Sequence, residues 1–357
     1  MRAKFLFGVF LLIVGVVEAQ DNTPKFSNEF LAIGVGARAL GMANTQVSLV
    51  DDVTSGYWNP AGLLNLGSQY EGMLMHAEYF GGIAKFDYAS FATTLDDSNA
   101  LGLSIIRFAI DDIPDTRFLY DASGRLNYDN INFFSAADYA FLFSYGRKFK
   151  ALNDLRFGGN MKLIHRNAGD FADAWGFGFD VGAQTTIKKW NLGLMLRDVT
   201  STFNTWSHNT AEIEDIFTLT GNEIPKNSIE VTLPRLILGA SRSFSYKKFG
   251  LVSALDLDMT FDGKRNTLVK SDFASIDPHL GLEFDYTKLV FMRFGIGQFQ
   301  QTKDFDGSKS WTFQPNFGLG VKLNNVTIDY ALVDIGNQAE SLYSHVFSIK
   351  ASFDKKE

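Results

Sequence analysis

Phe313-Gln-Pro-Asn-Phe-Gly-Leu-Gly-Val-Lys-Leu323 is the stretch on which the fold turns. Successive side chains of an extended strand point to opposite faces, so Phe313, Phe317, Leu319, Val321 and Leu323 share one side. Gln314, Asn316, Gly318, Gly320 and Lys322 share the other. The rhythm returns at Tyr343, Phe347, Ile349, Ala351 and Phe353 against Ser344, Ser348, Lys350 and Ser352. It returns at Trp190, Leu192, Leu194 and Leu196 against Asn191, Gly193, Met195 and Arg197, and at Leu155, Phe157, Met161 and Leu163 against Arg156, Gly158, Asn160 and Lys162. A wall with one greasy face and one polar or small face separates hydrocarbon from water.

Extending this reading from Gln69 to the end of the chain gives fourteen strands, near 69–79, 84–95, 100–110, 135–147, 155–167, 174–187, 190–198, 235–244, 249–260, 278–286, 289–299, 313–323, 326–334 and 343–353. The count is even, as closure of a bacterial single-chain barrel requires. Every second connection is short and polar: Asp96 to Asn99, Lys148 to Asp154, Lys188-Lys189, Ser245 to Lys248, Thr287-Lys288 and Asn324-Asn325. The intervening ones, among them 111–134, 199–234, 261–277 and 300–312, are generally longer. Turns on one side and loops on the other are the asymmetry of an all-β, 14-stranded antiparallel transmembrane outer-membrane β-barrel, with both termini expected in the periplasm. A soluble sandwich would be equally β-rich but gives no reason for this alternation of connection lengths, and a propeller would carry blade repeats.

The composition agrees. The chain of 357 residues has 34 Phe and 12 Tyr, 46% hydrophobic residues and no cysteine. The lack of Cys excludes disulfide scaffolds, Cys-ligated metal centres, thiol nucleophiles and a lipid-modified cysteine. A formal charge of -7 argues against a nucleic-acid partner. Residues 1–19 combine Arg2 and Lys4, the apolar run Phe5 to Val17 and a small-residue exit at Ala19, the three parts of a cleaved signal peptide. Thirteen apolar residues are too few to span a bilayer as a helix, which takes roughly 20. The expected organisation is a signal over 1–19, a hatch segment inside the barrel over 20–66 and the barrel over 67–357.

The hatch expectation comes from residues 26–66, which do not alternate and are too apolar for a linker. Gly34, Gly36 and Gly41 permit tight turns and close backbone approach. Asp51 or Asp52 can cap a short helix that Asn59-Pro60 would end. The glycine spacing fits no dinucleotide fingerprint. Fourteen strands enclose more space than side chains fill, so a compact segment belongs there. Gly36-Ala37-Arg38-Ala39-Leu40-Gly41-Met42, followed by Asp51-Asp52 and Tyr57-Trp58-Asn59-Pro60-Ala61-Gly62-Leu63, resembles the amino-terminal signature of the PorV/PorQ family, within the FadL-like group of outer-membrane barrels. The resemblance extends over the mature chain in length and strand count. It implies that Asn59, Pro60 and Ala61 are hatch residues. It also implies one of two roles. A PorV-like protein serves type IX secretion and binds translocon subunits and cargo sorting domains. A FadL-like transporter passes fatty acids or other hydrophobic small molecules.

No catalytic constellation appears, and no cofactor is expected. His76, His165, His208, His279 and His345 are scattered without metal-ligand spacing. Asp111, Asp112, Asp115 and Asp121 cluster in one expected outer loop but match no calcium loop. Inward Arg156, Lys162, Arg166 and Arg197 offer cations to an anionic headgroup or to neighbouring carboxylates. For partner contact the choice is loop 199–234, with Trp206, Ile213, Ile216, Phe217 and Leu219. Asn209 and Glu212 are read there as a capping pair that places Ile213, Ile216 and Phe217 on one helical face, which either docks a partner or folds over the barrel mouth.

Overall fold

The computed structural model describes residues 26–120, 123–149, 155–303, 307–333 and 343–354, apart from the side chains of Asp215 and Ile216. The expected signal, 1–19, lies outside them. The strands are β1 (Tyr70–Tyr79), β2 (Ala84–Asp96), β3 (Asn99–Asp115), β4 (Asn132–Phe149), β5 (Leu155–Ala168), β6 (Ala172–Ile187), β7 (Trp190–Arg197), β8 (Thr202–His208), β9 (Ser228–Thr232), β10 (Arg235–Tyr246), β11 (Phe249–Thr260), β12 (Val269–Lys270), β13 (Ser275–Tyr286), β14 (Val290–Lys303), β15 (Lys309–Leu323), β16 (Val326–Val333) and β17 (Ser344–Phe353). All but β8, β9 and β12 form a closed fourteen-stranded antiparallel barrel. Closure is made where β1 pairs with β17, from Tyr70 opposite Phe353 to Glu78 opposite His345.

The alternation sets which face is out. Along β6, Trp175, Phe177, Phe179 and Val181 are exposed, while Ala174, Gly176, Gly178, Asp180 and Gly182 are buried. Short connections reverse the chain through left-handed backbone at Lys188, Lys247, Thr287, Lys288 and Asn324. That geometry matches the right-handed twist of the strands it joins.

The strands run further than expected on the long-loop side. β3 continues to Asp115 past a bulge between Ile110 and Ile113, with Asp112 at φ 56, and β4 starts at Asn132. Asp111, Asp112 and Asp115 therefore lie on a strand rather than in a loop, and Asp121 is outside the described residues. The expected loop 199–234 contains the hairpin β8–β9, and β8 extends the wall beside β6 from Phe203 to His208. At these ends polar residues occupy both faces, as Asp111 and Asp112 do on β3 and Asn204 and Thr205 on β8, so the contrast that reveals a strand in sequence fades.

Residues 26–66 fold into short pieces inside this wall: α1 (Ala37–Leu40), α2 (Ser55–Trp58) and a 3-10 turn over Pro60–Asn65. α1 begins after Gly36 at φ 85, and α2 stops where Asn59 turns extended before Pro60. Asp52 caps by a different route from the one expected. Its Oδ1 accepts from Thr54 N at 2.9 Å and Thr54 Oγ1 at 2.6 Å, while the residue flanking α2, Thr54, makes no side-chain cap bond. The main apolar core lies within the lumen, where Leu40, Tyr57, Trp58 and Leu63 pack with Met73, Tyr79, Phe86 and Tyr88 of the wall.

Candidate functional site

The segment crosses much of the lumen. At the long-loop side, Asn28 Nδ2 donates to Thr232 Oγ1 at 2.7 Å and Asn204 Nδ2 donates to Asn28 Oδ1 at 2.9 Å. Toward the short turns, Asn65 Nδ2 donates to Gln184 Oε1 at 3.2 Å and Arg156 Nη1 donates to Asn65 Oδ1 at 2.6 Å. Inward glycines let its backbone touch the wall. A Cβ on Gly193 would lie 2.6 Å from Val47 C and 2.7 Å from Ser48 Cα, and one on Gly281 would lie 2.8 Å from Met42 O. Gly41 and Gly318 meet backbone to backbone, a Cβ on Gly41 falling 2.8 Å from Gly318 Cα. Asn59 fastens the middle: its Nδ2 donates to Val47 O at 2.9 Å, Ala183 O at 3.1 Å and Leu194 O at 3.3 Å, and its Oδ1 accepts from Ala61 N at 3.2 Å. Pro60 and Ala61 lie against Gly158.

Ion pairs tie the same segment to the strands. Arg38 spans Glu283, at 2.9 Å through Nε, and the exposed Asp51, at 3.0 Å. Glu283 also receives Arg293 Nε at 2.6 Å, and Arg293 Nη1 reaches Asp329 at 2.7 Å with its side chain 2% exposed. Asp52 bonds Lys350 at 2.9 Å. Burial pushes the Asp52 carboxyl up, but Lys350, Arg38 and the Thr54 hydroxyl together hold it well below the usual carboxylate range. Asp256 Oδ2 accepts from Gln46 N at 2.8 Å and Val47 N at 3.0 Å. Glu283, Arg293, Asp329 and Asp256 were not singled out in the sequence, although their polar side of each alternating strand was visible.

The inward cations anticipated from sequence are occupied by protein groups. Lys162 pairs with Asp180 at 2.8 Å and with Asp198. Arg166 pairs with Asp138 at 2.9 Å and Glu230 at 3.2 Å. Arg197 lies 4.5 Å over the Tyr57 ring and donates to Leu31 O at 3.3 Å. A small cleft of about 50 Å³ lies among Lys162, Arg197, Arg235 and Arg265, with Asp180, Asp198, Asp262 and Glu29 beside them.

A larger cavity of about 200 Å³ separates the segment from the β13–β16 side of the wall. Ile33, Leu40, Ala43 and Asn44 line it from within, and Tyr79, His279, Gly297, Gln298, Gln314, Asn316 and Val333 from the wall. The wall itself parts at this level. β13 and β14 pair only from Tyr286 opposite Val290 to Leu280 opposite Ile296. Past that point β14 bulges between Gly297 and Gln300, with Gln298 at φ 52, while Ser275 and Ile276 of β13 pair with β12 instead. Asn266 bridges to β14 by exchanging two bonds of 3.0 Å with the Gln301 backbone. His279 packs against Gly297 and its Nδ1 bonds Ala43 O at 3.0 Å.

The loop residues divide. Trp206 is a strand residue on β8 whose Nε1 donates to Glu230 at 2.7 Å beneath Arg166. Helix α3 (Glu214–Thr220) starts later than Asn209 and Glu212 suggested; Asn209 makes no side-chain cap bond, because residues 210–212 form a separate 3-10 turn. Ile213 is buried, Phe217 half-buried and Leu219 83% exposed, while the Ile216 side chain is outside the description. Arg117 holds the Glu212 carbonyl, pairs with Asp115 at 2.8 Å and stacks on Phe171, so this loop is fastened to its neighbour across the rim. The histidines stay apart: His76 bonds Asp87, His165 packs on Trp175 and His345 bonds Tyr330. Asp111 pairs with Lys85 at 2.8 Å.

A closed fourteen-stranded wall with a folded segment across its lumen defines the class: a FadL-like outer-membrane barrel fold. No protein-family model and no curated protein matches the chain. Solved structures do. The "CymD monoaromatic hydrocarbon channel" superposes with a TM-score of 0.56 at 14% identity, covering 91% of this chain and 99% of that one. The P. putida toluene transporter TodX gives 0.56 at 13% identity, covering 90% and 99%. A Pseudomonas aeruginosa FadL homologue gives 0.51 at 12%, covering 88% and 97%. At such identities the likeness is one of fold. The first two of these neighbours are named as a channel and a transporter, and nothing among the three supports the PorV/PorQ resemblance or its secretion partners in particular.

Proposed function

We propose that this chain is a non-enzymatic outer-membrane conduit for small hydrophobic molecules, with residues 26–66 acting as its hatch. Under this reading the signal is removed on export, both chain termini face the periplasm and lipid surrounds the wall. The observation that carries it is the cavity of about 200 Å³ between segment and wall, placed where β13 and β14 part. A molecule held there has the hatch on one side and an interrupted ladder on the other. Pockets for small molecules commonly lie at such joints between structural units. The toluene transporter and the monoaromatic hydrocarbon channel among the fold neighbours support the same reading.

The test is uptake of radiolabelled toluene by cells lacking their own transporter, with and without this protein. Faster uptake that a Gly297→Trp substitution abolishes is expected. Identical uptake with and without the protein would defeat the proposal. The secretion role implied by the amino-terminal signature keeps one supporting feature, the apolar groups Phe118, Tyr120, Tyr128 and Leu219 exposed at the long-loop end. Pull-down of translocon subunits or sorting-domain cargo, lost when Leu219 is replaced by Ser, would favour it over the conduit.

A further inference from the structure

The outer face of the wall differs around the barrel. On β13 the outward positions Ile276, Pro278, Leu280, Leu282, Phe284 and Tyr286 are all apolar or aromatic. On β3 the outward run Leu101, Leu103 and Ile105 stops at Arg107. Arg107 belongs to a polar row across three strands: His76 of β1 stands opposite Asp87 of β2, and Asp87 stands opposite Arg107. His76 Nδ1 bonds the Asp87 carboxylate at 2.7 Å and Arg107 Nη1 pairs with it at 3.1 Å. The three side chains are 52%, 40% and 32% exposed on the outside of the wall. On the short-turn side of this row the small residues Gly72, Ala89 and Ala351, set among Leu74, Phe91 and Ile105, leave a depression of about 410 Å³. Strands advance about 3.4 Å per residue and barrel strands tilt by about 40°. The β13 run therefore stands about 26 Å tall, matching the apolar band of roughly 25 Å around an outer-membrane barrel. From Leu101 to Arg107 the rise is only about 15 Å. With lipid around the wall, the charged row would lie about 10 Å inside that band, where charges facing hydrocarbon are destabilising.

From these features we propose that the outer face of β1, β2 and β3 is the contact surface of a two-fold dimer of this chain within the membrane. Both copies insert in the same orientation, so the two-fold axis runs along the membrane normal and each patch meets the other at its own depth. An axis passing between Asp87 and Arg107 brings Asp87 of each copy to Arg107 of the other, which makes the patch complementary to itself. The small residues beside the row let the two walls approach, and the charges leave hydrocarbon for a protein surface. A different barrel would need matching charges at the same depth, whereas a second copy necessarily has them. The proposal rests on the outer-membrane placement given above and is independent of what the lumen passes.

The chain has no cysteine, so a single introduced thiol reports on the nearness of two copies. Ala89→Cys and Ile105→Cys, one on each side of the axis, are expressed separately at low level, and outer membranes are treated with a short bis-maleimide. Leu282→Cys, exposed on β13 across the barrel, is the control. A product of twice the chain's mass is expected from at least one of the first two variants and not from the control. Adding Arg107→Asp sets acid against acid and should remove most of that product; adding Asp87→Arg as well restores opposite charges and should return it. Heat-modifiable migration on gels checks that each variant barrel is folded. Equal yields at all three positions, no product from Ala89→Cys and Ile105→Cys, a product of another mass alone, or a yield indifferent to Arg107→Asp overturns the dimer. A chain missing from the outer-membrane fraction sinks the membrane placement and the dimer together. A chain present there without the paired product sinks the dimer alone, and toluene uptake decides the conduit separately.

Discussion

Gly193→Ala should loosen the hatch although it adds only one methyl group. The new Cβ would stand 2.6 Å from Val47 C and 2.7 Å from Ser48 Cα. Carbon atoms in contact prefer about 3.5–4.0 Å, so the hatch backbone must retreat by roughly 1 Å. Overpacking of this kind costs about 1–3 kcal/mol. Val47 O is also the acceptor for Asn59 Nδ2 at 2.9 Å and Gln184 Nε2 at 3.1 Å, so moving it strains two further bonds worth about 1 kcal/mol each. A total near 3 kcal/mol shifts the ratio of seated to displaced hatch by roughly a hundredfold. The control is Gly72→Ala, whose nearest atom is Ser90 O at 3.7 Å and which has room for the methyl. Single-channel conductance in planar bilayers and protease cleavage within residues 40–50 both report on the seat. Gly193→Ala should open more often and be cut faster than wild type, with Gly72→Ala unchanged. If the two alanine variants behave alike, the close backbone contact does not hold the hatch.

Asn59→Asp should displace the hatch more than Asn59→Ala, because a carboxylate would face the carbonyls of Val47, Ala183 and Leu194, which now receive an N–H; conductance of the two variants decides it. Arg293→Met leaves Glu283 and Asp329 buried with one fewer cation and should cost about 3–5 kcal/mol, read as a lower unfolding midpoint in urea, with Glu283→Gln in the same chain recovering part of the loss. Asp52 has its folded pKa depressed, so the stability it contributes is complete above the ordinary carboxylate pKa of about 3.9 and is lost as pH falls toward its depressed value. The stability gap between wild type and Asp52→Asn should therefore narrow as pH falls below about 4; a gap that stays unchanged down to about pH 2 would contradict the pairing with Lys350.

Alternation alone was enough to place the wall. Phe317, Leu319 and Val321 opposite Asn316, Gly318 and Gly320 reveal both the strand and its outward side, since a side chain in a strand has only two directions and lipid accepts one kind. Where that contrast lapses, the strand ends could not be read: Asp111 to Asp115 on β3 and Thr202 to His208 on β8 looked like loop. The inward glycines were visible as small residues on the polar face, but not that Gly193 meets Val47 or that Gly318 meets Gly41, for those contacts join residues more than a hundred positions apart.

The site divides along the same line. Local sequence determines that Asn59 ends α2 before Pro60, because proline restricts the residue that precedes it. It does not determine that the Asn59 amide joins three carbonyls from the hatch and two strands, nor that Arg38, Glu283, Arg293 and Asp329 form one ionic chain. Only closure of the sheet brings Tyr79 and Asn44 to one cavity and parts β13 from β14 beside it. Periodicity is a property of neighbours along the chain, whereas a cavity is what remains when distant segments fail to fill the space between them.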